Sequence, residues 1–506
     1  MKTGGVDSTT EEAGIGELTK SAELSRAVRH EAPAKCPRIA LLTPYTGGNL
    51  GDAAIQDSII ANLRPRLPGA QFSGVSLNCD NFTERHGSSA FPLCASQGRF
   101  YRMFQGRMTH QPVEGRSPEV PSDENKATMS GVLRKALKQV PVLWRCLRRT
   151  RSLGRRVYGE LRHCAQGYRF LRTQQLLIVS GGGQLDEEWG GPWGHPFTLF
   201  KWAILARMTG VPYAMASVGA CKVTSITSRF FLSVALRMAR YRSYRDKNSR
   251  RLASGLLRRA AGDSIVPDLA LSLPASELPP PAGIRAMARQ TMTVAISLIA
   301  YAKPGSWPCP EPAVYDRYLQ EMTRVVAQLL TRDCLLVFLS SSLGDDDRVI
   351  PELLGRLDAE TREKASGRVR VPVINIWKDV AATLSAVDFL VASRLHSTIL
   401  AFVTETPTVA ISFDPKVDWV MEDLGQTDFL LHIEDFIAGD VILALDGIEQ
   451  LRTSVTTQLR SYQLGTHSAF ARQYDKLAEL AIQGARAGTK RIHGIATFGQ
   501  RRHSVL

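Results

Sequence analysis

Residues 387–413 read VDFLVASRLHSTILAFVTETPTVAISF. The runs 387–392 (VDFLVA) and 407–413 (PTVAISF) are short, apolar and bounded by polar residues, the pattern of strands buried on both faces of a sheet. Arg394 and His396 then fall just past the carboxyl end of the first strand, where open α/β sheets place their ligands. An arginine offers a planar, permanently charged fork to carboxylate or phosphate, and a histidine can exchange a proton near neutral pH. Read by themselves, the same residues could equally form a structural ion pair and a helix start.

Around this unit the pattern repeats. Apolar runs at 293–299, 334–340, 371–376, 388–392 and 408–413 alternate with helical patterns, notably 314–331 and 415–424. An earlier set comprises runs at 38–43, 70–77, 174–180, 213–218 and 241–244, with a helix expected from about residue 53 to 63. Strands alternating with helices imply a parallel sheet, and two such sets imply two Rossmann-like, doubly wound α/β domains, at 36–272 and 286–435. The Pro-rich stretch 273–285, beginning LPASELPPPAG, is the linker, since three successive prolines resist both helix and ladder. Residues 436–506 form a tail, helical from about 442 to 482. Residues 1–35 are polar and Gly/Ser/Thr-rich, the composition of a disordered leader.

Residues 80–173 interrupt the first domain as an insertion, irregular to about 130 and basic thereafter. The chain of 506 residues carries a net charge of +15, and residues 131–175 hold twelve Lys/Arg against one acid, Glu160. Val157, Leu161, Cys164 and Tyr168 recur at helical spacing, while Pro141 and Gly154 are expected to break the segment into shorter helices. A basic excess this local describes an attachment surface, with an anionic membrane as the expected partner of residues 131–172. Nucleic acid is not expected, because the segment shows no zinc-finger pattern and no interleaved aromatic platform. No apolar run approaches the roughly 20 residues that span a bilayer. Eight scattered cysteines without a CxxC pair suggest reduced thiols, a cytoplasmic protein and no structural metal.

Four further loops carry chemistry. The first strand runs into TPYTGGNLGDAAI, where Gly47, Gly48 and Gly51 allow close backbone approach, Asn49 stands between them, and Asp52 is either the helix cap or a reactive carboxylate. Its spacing is neither that of a dinucleotide fingerprint nor that of a P-loop. Residues 181–195 (GGGQLDEEWGGPWGH) gather Gly181, Gly182 and Gly183 with Asp186, Trp189, Trp193 and His195 on one long loop. Tryptophan faces and carboxylates suit sugars, so these four side chains are the expected acceptor site; a small satellite core is the alternative for the tryptophans. SYRDKNS (243–249) puts Arg245 at another strand end, with Asp246 as a helix cap. SFDPKV (412–417) puts Lys416 in the first turn of a helix, the unfavourable end for a cation unless an anion sits there.

Taken together, GGNLGDAAI (47–55), VSGGGQL (179–185), GVPYAMASVGA (210–220), SYRDKNS (243–249) and SRLHSTILAF…TPTVAISFDPKV (393–417) resemble the polysaccharide pyruvyl transferase family. The resemblance covers roughly residues 38–78 and 174–430. It implies two domains facing across a cleft, as in B-type glycosyltransferases. It also implies transfer of a pyruvyl group from phosphoenolpyruvate to two hydroxyls of a sugar, lipid-linked or polymeric, with release of phosphate and no cofactor. By that resemblance Arg245, Arg394, Leu395 and His396 line the phosphoenolpyruvate site, with Lys416 beside them. His396 is the candidate acid or phosphate ligand, and Asp52 or Asp186 the candidate base. Where members often carry glycine and proline after the SVGA-like strand, this chain reads Ala220-Cys221-Lys222. A nucleotide-sugar-dependent glycosyltransferase of the same architecture is the rival reading.

Overall fold

The computed structural model describes residues 36–95, 141–188, 190–257, 262–284, 291–307 and 309–503, with the backbone path alone for 141–153 and 488–503. The leader, residues 131–140 of the basic segment and Trp189 lie outside the described residues.

Two parallel sheets organise the chain. The first holds β1 (Arg38–Thr43), β2 (Gln71–Ser76), β3 (Ala90–Pro92), β4 (Leu176–Ser180), β5 (Tyr213–Val218), β6 (Tyr241–Tyr244) and β7 (Ser264–Ile265), in the order β3-β2-β1-β4-β5-β6-β7. The second holds β8 (Thr293–Ser297), β9 (Leu335–Leu339), β10 (Val369–Arg370), β11 (Phe389–Ala392), β12 (Thr408–Ser412) and β13 (Leu430–His432), in the order β10-β9-β8-β11-β12-β13. Both are doubly wound, with a switch point between β1 and β4 and another between β8 and β11. The central strands β4, β5, β8, β9, β11 and β12 are buried along their whole length, which is why they read as continuous apolar runs.

Several expectations shift. The edge strand β3 and the helix Cys79–His86 lie inside the segment read as an insertion, so the first sheet continues to residue 92. The basic segment runs as one helix, Pro141–Leu171, straight through Gly154. Pro141 is its first residue, where a missing amide hydrogen costs nothing. The strand expected at 371–376 does not form, because Val371 and Val373 face solvent; the two-residue β10 lies just before it.

The two domains share a core. One apolar cluster joins Ile39, Ile55 and Leu176 of the first sheet's layers to Trp377, Leu390 and Ile399 of the second and to Phe470, Tyr474 and Leu477 near the C-terminus. Those last residues belong to the helix Arg452–His503, which leaves the second domain and packs back on the first. There Gln473 hydrogen-bonds Ser217 and Ser243, and Asp475 pairs with Arg66 at 2.7 Å.

Candidate active site

Loops at the carboxyl ends of the two sheets meet. Leu50 N–H donates to Ser341 O (2.9 Å), Leu343 N–H donates to Gly48 O (2.9 Å), and Asn49 bridges Ser342 in antiparallel fashion. The loop after β1 is thus stitched to the loop after β9, one from each domain. Asn49 caps the helix Leu50–Leu63, its side chain accepting from Gly51 N–H (3.1 Å) and Asp52 N–H (3.4 Å). The capping role is therefore Asn49's, and the Asp52 carboxylate is left for other work.

His396 lies directly on Gly51. A Cβ at Gly51 would stand 1.9 Å from His396 Cγ, so no side chain fits there. His396 belongs to the helix Leu395–Val403, which follows β11, whereas Gly51 opens the first helix of the other domain. The glycine spacing noted in the sequence is accordingly an interdomain contact surface rather than a phosphate loop.

The triple glycine after β4 fills the next position. Gly181 (φ 44°) and Gly182 (φ 67°) turn in the left-handed region that favours glycine. A Cβ at Gly182 would come within 3.4 Å of Asp52 Oδ1, and one at Gly183 within 3.8 Å of Lys416 Nζ. Gly219 N–H donates to Gly182 O (2.7 Å), and a Cβ at Gly219 would be 3.0 Å from Arg245 Nη2. The stretch Ala220-Cys221 is held by a bridge from Ala220 to Leu185 and by Ser249 Oγ on Ala220 N–H (3.0 Å), so the wall is formed without the family's usual glycine and proline.

Arg245 is buried at 4 % exposure, and its ion pairs are loose: Nε to Asp246 Oδ2 at 3.5 Å and Nη1 to Asp268 Oδ2 at 3.6 Å. Its Nη2, Asp268 Oδ2 and His396 Nε2 are all buried without a hydrogen-bond partner among the described residues. Three orphaned polar atoms in one cluster are costly unless a ligand completes them. Arg394 differs. Its Nε and Nη2 grip the fully buried Asp346 at 2.5 and 2.9 Å, so one edge of its fork is committed to the protein. Asp246 caps the next helix through Ser249, at 2.6 Å to N–H and 2.8 Å to Oγ. Lys416 pairs with Asp414 at 3.3 Å and lies close enough to Cys221, Asp186 and Arg245 to interact with each.

These charges set the protons. Burial lowers the pKa of His396 and Asp268 pulls it back up, but Arg245, Arg394 and Lys416 push it down again, so it stays below the usual imidazole range. Burial and the Asp268 charge push Asp52 up to about 7, with Arg245 opposing. The sign for stability follows from linkage. Folded Asp52 keeps its proton to higher pH than the unfolded chain, so stability contributed by this group falls as pH rises from the ordinary carboxylate range to about 7. Asp52→Asn is therefore expected to raise the melting temperature, by an amount that grows from pH 4 to about pH 7 and levels off above it. A melting-temperature gain independent of pH would contradict this.

Of the expected residues, Arg394, His396 and Lys416 of the second domain come together with Arg245, Asp52 and Asp186 of the first. Leu395 begins its helix, and its half-buried side chain packs on two of the large apolar clusters. The expected acceptor set divides. Asp186 is buried and accepts from Glu188 N–H (2.7 Å). His195 is a correction: it is 2 % exposed, Nε2 lies 2.9 Å from Gln184 Oε1, and burial lowers its pKa to about 4. It fastens the loop rather than meeting a sugar. Trp193 turns outward, 70 % exposed, against Phe197 and Phe231. Trp189 lies outside the described residues. Asp268 and Asp346 escaped the sequence reading. Asp268 follows a two-residue strand, and Asp346 lies in a polar turn, so an acid just past a strand end was the only cue.

Among known proteins, a model of the family described as polysaccharide pyruvyl transferase matches residues 49–415. The amylovoran biosynthesis protein AmsJ of Erwinia amylovora is 26% identical over 138 residues, 26% of this chain and 32% of that protein. That match therefore spans about a third of the relative's length. The chain is also similar to the solved UDP-GlcNAc 2-epimerase of Neisseria meningitidis bound to UDP-GlcNAc (8% identity, TM-score 0.48, 88% of this chain and 99% of that one). A glycosyltransferase from Rickettsia africae gives 8% identity and a TM-score of 0.45, with 90% and 99% covered.

Proposed function

The chain belongs to the polysaccharide pyruvyl transferase family, and from that premise we propose that it moves a pyruvyl group from phosphoenolpyruvate to two hydroxyls of a sugar, in a polysaccharide or its lipid-linked precursor. The product is a cyclic ketal, and inorganic phosphate leaves. The observation that carries this reading is the orphaned cluster of Arg245, Asp268 and His396, enclosed between the two domains and bordered by Arg394 and Lys416.

Phosphoenolpyruvate carries a carboxylate and a phosphate, and charge-assisted hydrogen bonds from guanidinium groups match both. Arg245, whose Nη2 is free of partners, binds the more buried anionic group; Arg394, braced by Asp346, and Lys416 serve the other. The reaction begins as the methylene carbon takes a proton and a sugar hydroxyl attacks the neighbouring enol carbon. The first hydroxyl gives up its proton as it adds, replacing the one delivered to the methylene carbon; the second hydroxyl then displaces phosphate at that carbon, and its proton leaves with the inorganic phosphate, so protons balance. His396 is neutral beside three cations, and the arriving anion raises its pKa, so it takes up the proton it then donates. Asp52, pushed up to about 7, is poised to accept a proton from the hydroxyl. Asp186, on the loop after β4, is assigned to the acceptor side.

The test is phosphate release from phosphoenolpyruvate with a panel of galactose, glucose and mannose acceptors. Release that depends on acceptor is expected, with mass gain of one ketal on the sugar. Turnover of a nucleotide sugar in its place, with phosphoenolpyruvate inert, would assign the cleft to glycosyl transfer and reject the proposal.

A further inference from the structure

One side of the first sheet is covered by three helices lying side by side, Pro141–Leu171, His195–Thr209 and Ile226–Met238, whose inner faces share one apolar cluster with β1, β4 and β5. Their outer faces are unusual. Tyr158, Leu161, Trp193, Met208, Ile226 and Phe230 are all exposed, Ile226 by 85 % and Tyr158 by 68 %. Trp193, Phe197, Phe200, Phe230 and Phe231 form one connected set of rings, with Phe200–Phe231 at 4.9 Å and Trp193–Phe231 at 5.4 Å between centroids. Scattered apolar residues on a surface mean little, but an aromatic patch spanning two adjacent helices, with exposed Tyr158 and Leu161 on the third, marks an interaction surface.

Apart from Glu187, which is held on Thr224 and Ser225 at the start of the third helix, and Glu188 beside it, the charges near that surface are positive. Arg155, Arg156, Arg162, Arg207, Arg229 and Arg237 are exposed around the patch. The three helices together hold twelve Lys/Arg and a single acid, Glu160, which Lys201 neutralises at 2.6 Å.

We infer that this face lies on an anionic lipid bilayer, its rings and aliphatic side chains at the headgroup boundary and its arginines on lipid phosphates. The pairing is that of an interfacial amphipathic surface, where apolar burial and attraction to anionic lipid add. Exposed Ile226, Leu161 and Met208 have no use against a nucleic-acid backbone, and a second copy of this chain would set like charge against like. Trp193 ends the same loop whose glycines begin at Asp52, so the lipid plane sits beside the acceptor side of the cleft. The inference goes beyond pyruvyl transfer and stands or falls without it.

Flotation of the full chain with vesicles of phosphatidylcholine alone, or mixed with phosphatidylglycerol, tests it. Binding to the mixed vesicles only, weakened by salt, is expected. The triple variant Tyr158→Glu/Leu161→Glu/Phe230→Glu changes exposed side chains, so its melting temperature should hold while vesicle binding falls at least about tenfold. Absence of wild-type binding to anionic vesicles overturns the inference, as does equal binding by the triple variant. Self-association or salt-sensitive binding to a duplex oligonucleotide, without vesicle binding and lost in the same variant, would also overturn it and assign the face to that partner.

Discussion

His396→Ala is expected to lower turnover about a hundredfold or more, the usual loss when a positioned proton donor is removed. The ring stands at the seam of the two domains, with Nε2 buried and unpartnered and with Arg245, Arg394 and Lys416 near enough to shift its protonation. On the proposed mechanism, removing the ring takes away the proton donor while leaving the cations assigned to the charges of phosphoenolpyruvate. Turnover should therefore fall much more than apparent affinity for phosphoenolpyruvate, and steady-state phosphate release at several donor concentrations separates the two. His396→Gln, which keeps a polar side chain of similar reach, should recover affinity without recovering turnover. Near-normal turnover in the alanine variant would remove His396 from the chemistry.

A comparable loss is expected from Gly51→Ala, for a steric reason. Within a helix, glycine to alanine ordinarily stabilises by roughly 0.5–1 kcal/mol, because the unfolded chain loses freedom. At this position the new methyl would stand 1.9 Å from His396 Cγ and 2.4 Å from its Cβ, atoms near the backbone that cannot swing clear. Either the ring leaves its place or the two domains separate there, and both disable the site. The prediction is a fall in both melting temperature and turnover. Combining it with His396→Gly makes the sign decisive, since the methyl has room only when the Cβ, 2.4 Å away, goes with the ring. In that background Gly51→Ala should no longer destabilise and should regain the ordinary helix benefit. A destabilisation of equal size in both backgrounds would show that the contact is not the cause.

Much of this was legible in the sequence, because in parallel sheets the residues that face a ligand follow the strand ends. Arg394 and His396 were readable because they come just after a short apolar run, Arg245 because it follows the short run Tyr241–Tyr244, and the glycines because they cluster at such ends. What could not be read is which charge answers which. Arg394 grips Asp346, 48 residues away, and Arg245 faces Asp268 from a different strand; only the fold decides these pairs. Loop direction was equally hidden. His195 and Trp193, two residues apart, point to opposite environments, one sealed against Gln184 and the other out to the surface. Helix breaks also misled at Gly154, since one glycine weakens a helix but does not stop it.

The apolar cluster common to both domains constrains how the protein works. A clamshell that opened widely to admit substrate would have to expose Trp377, Ile399 and Tyr474 to water, and would tear the helix Arg452–His503 from one side. Small molecules must instead enter through local motions of loops and side chains around a nearly fixed gap. The two halves should consequently lose their structure together on heating, as one cooperative unit.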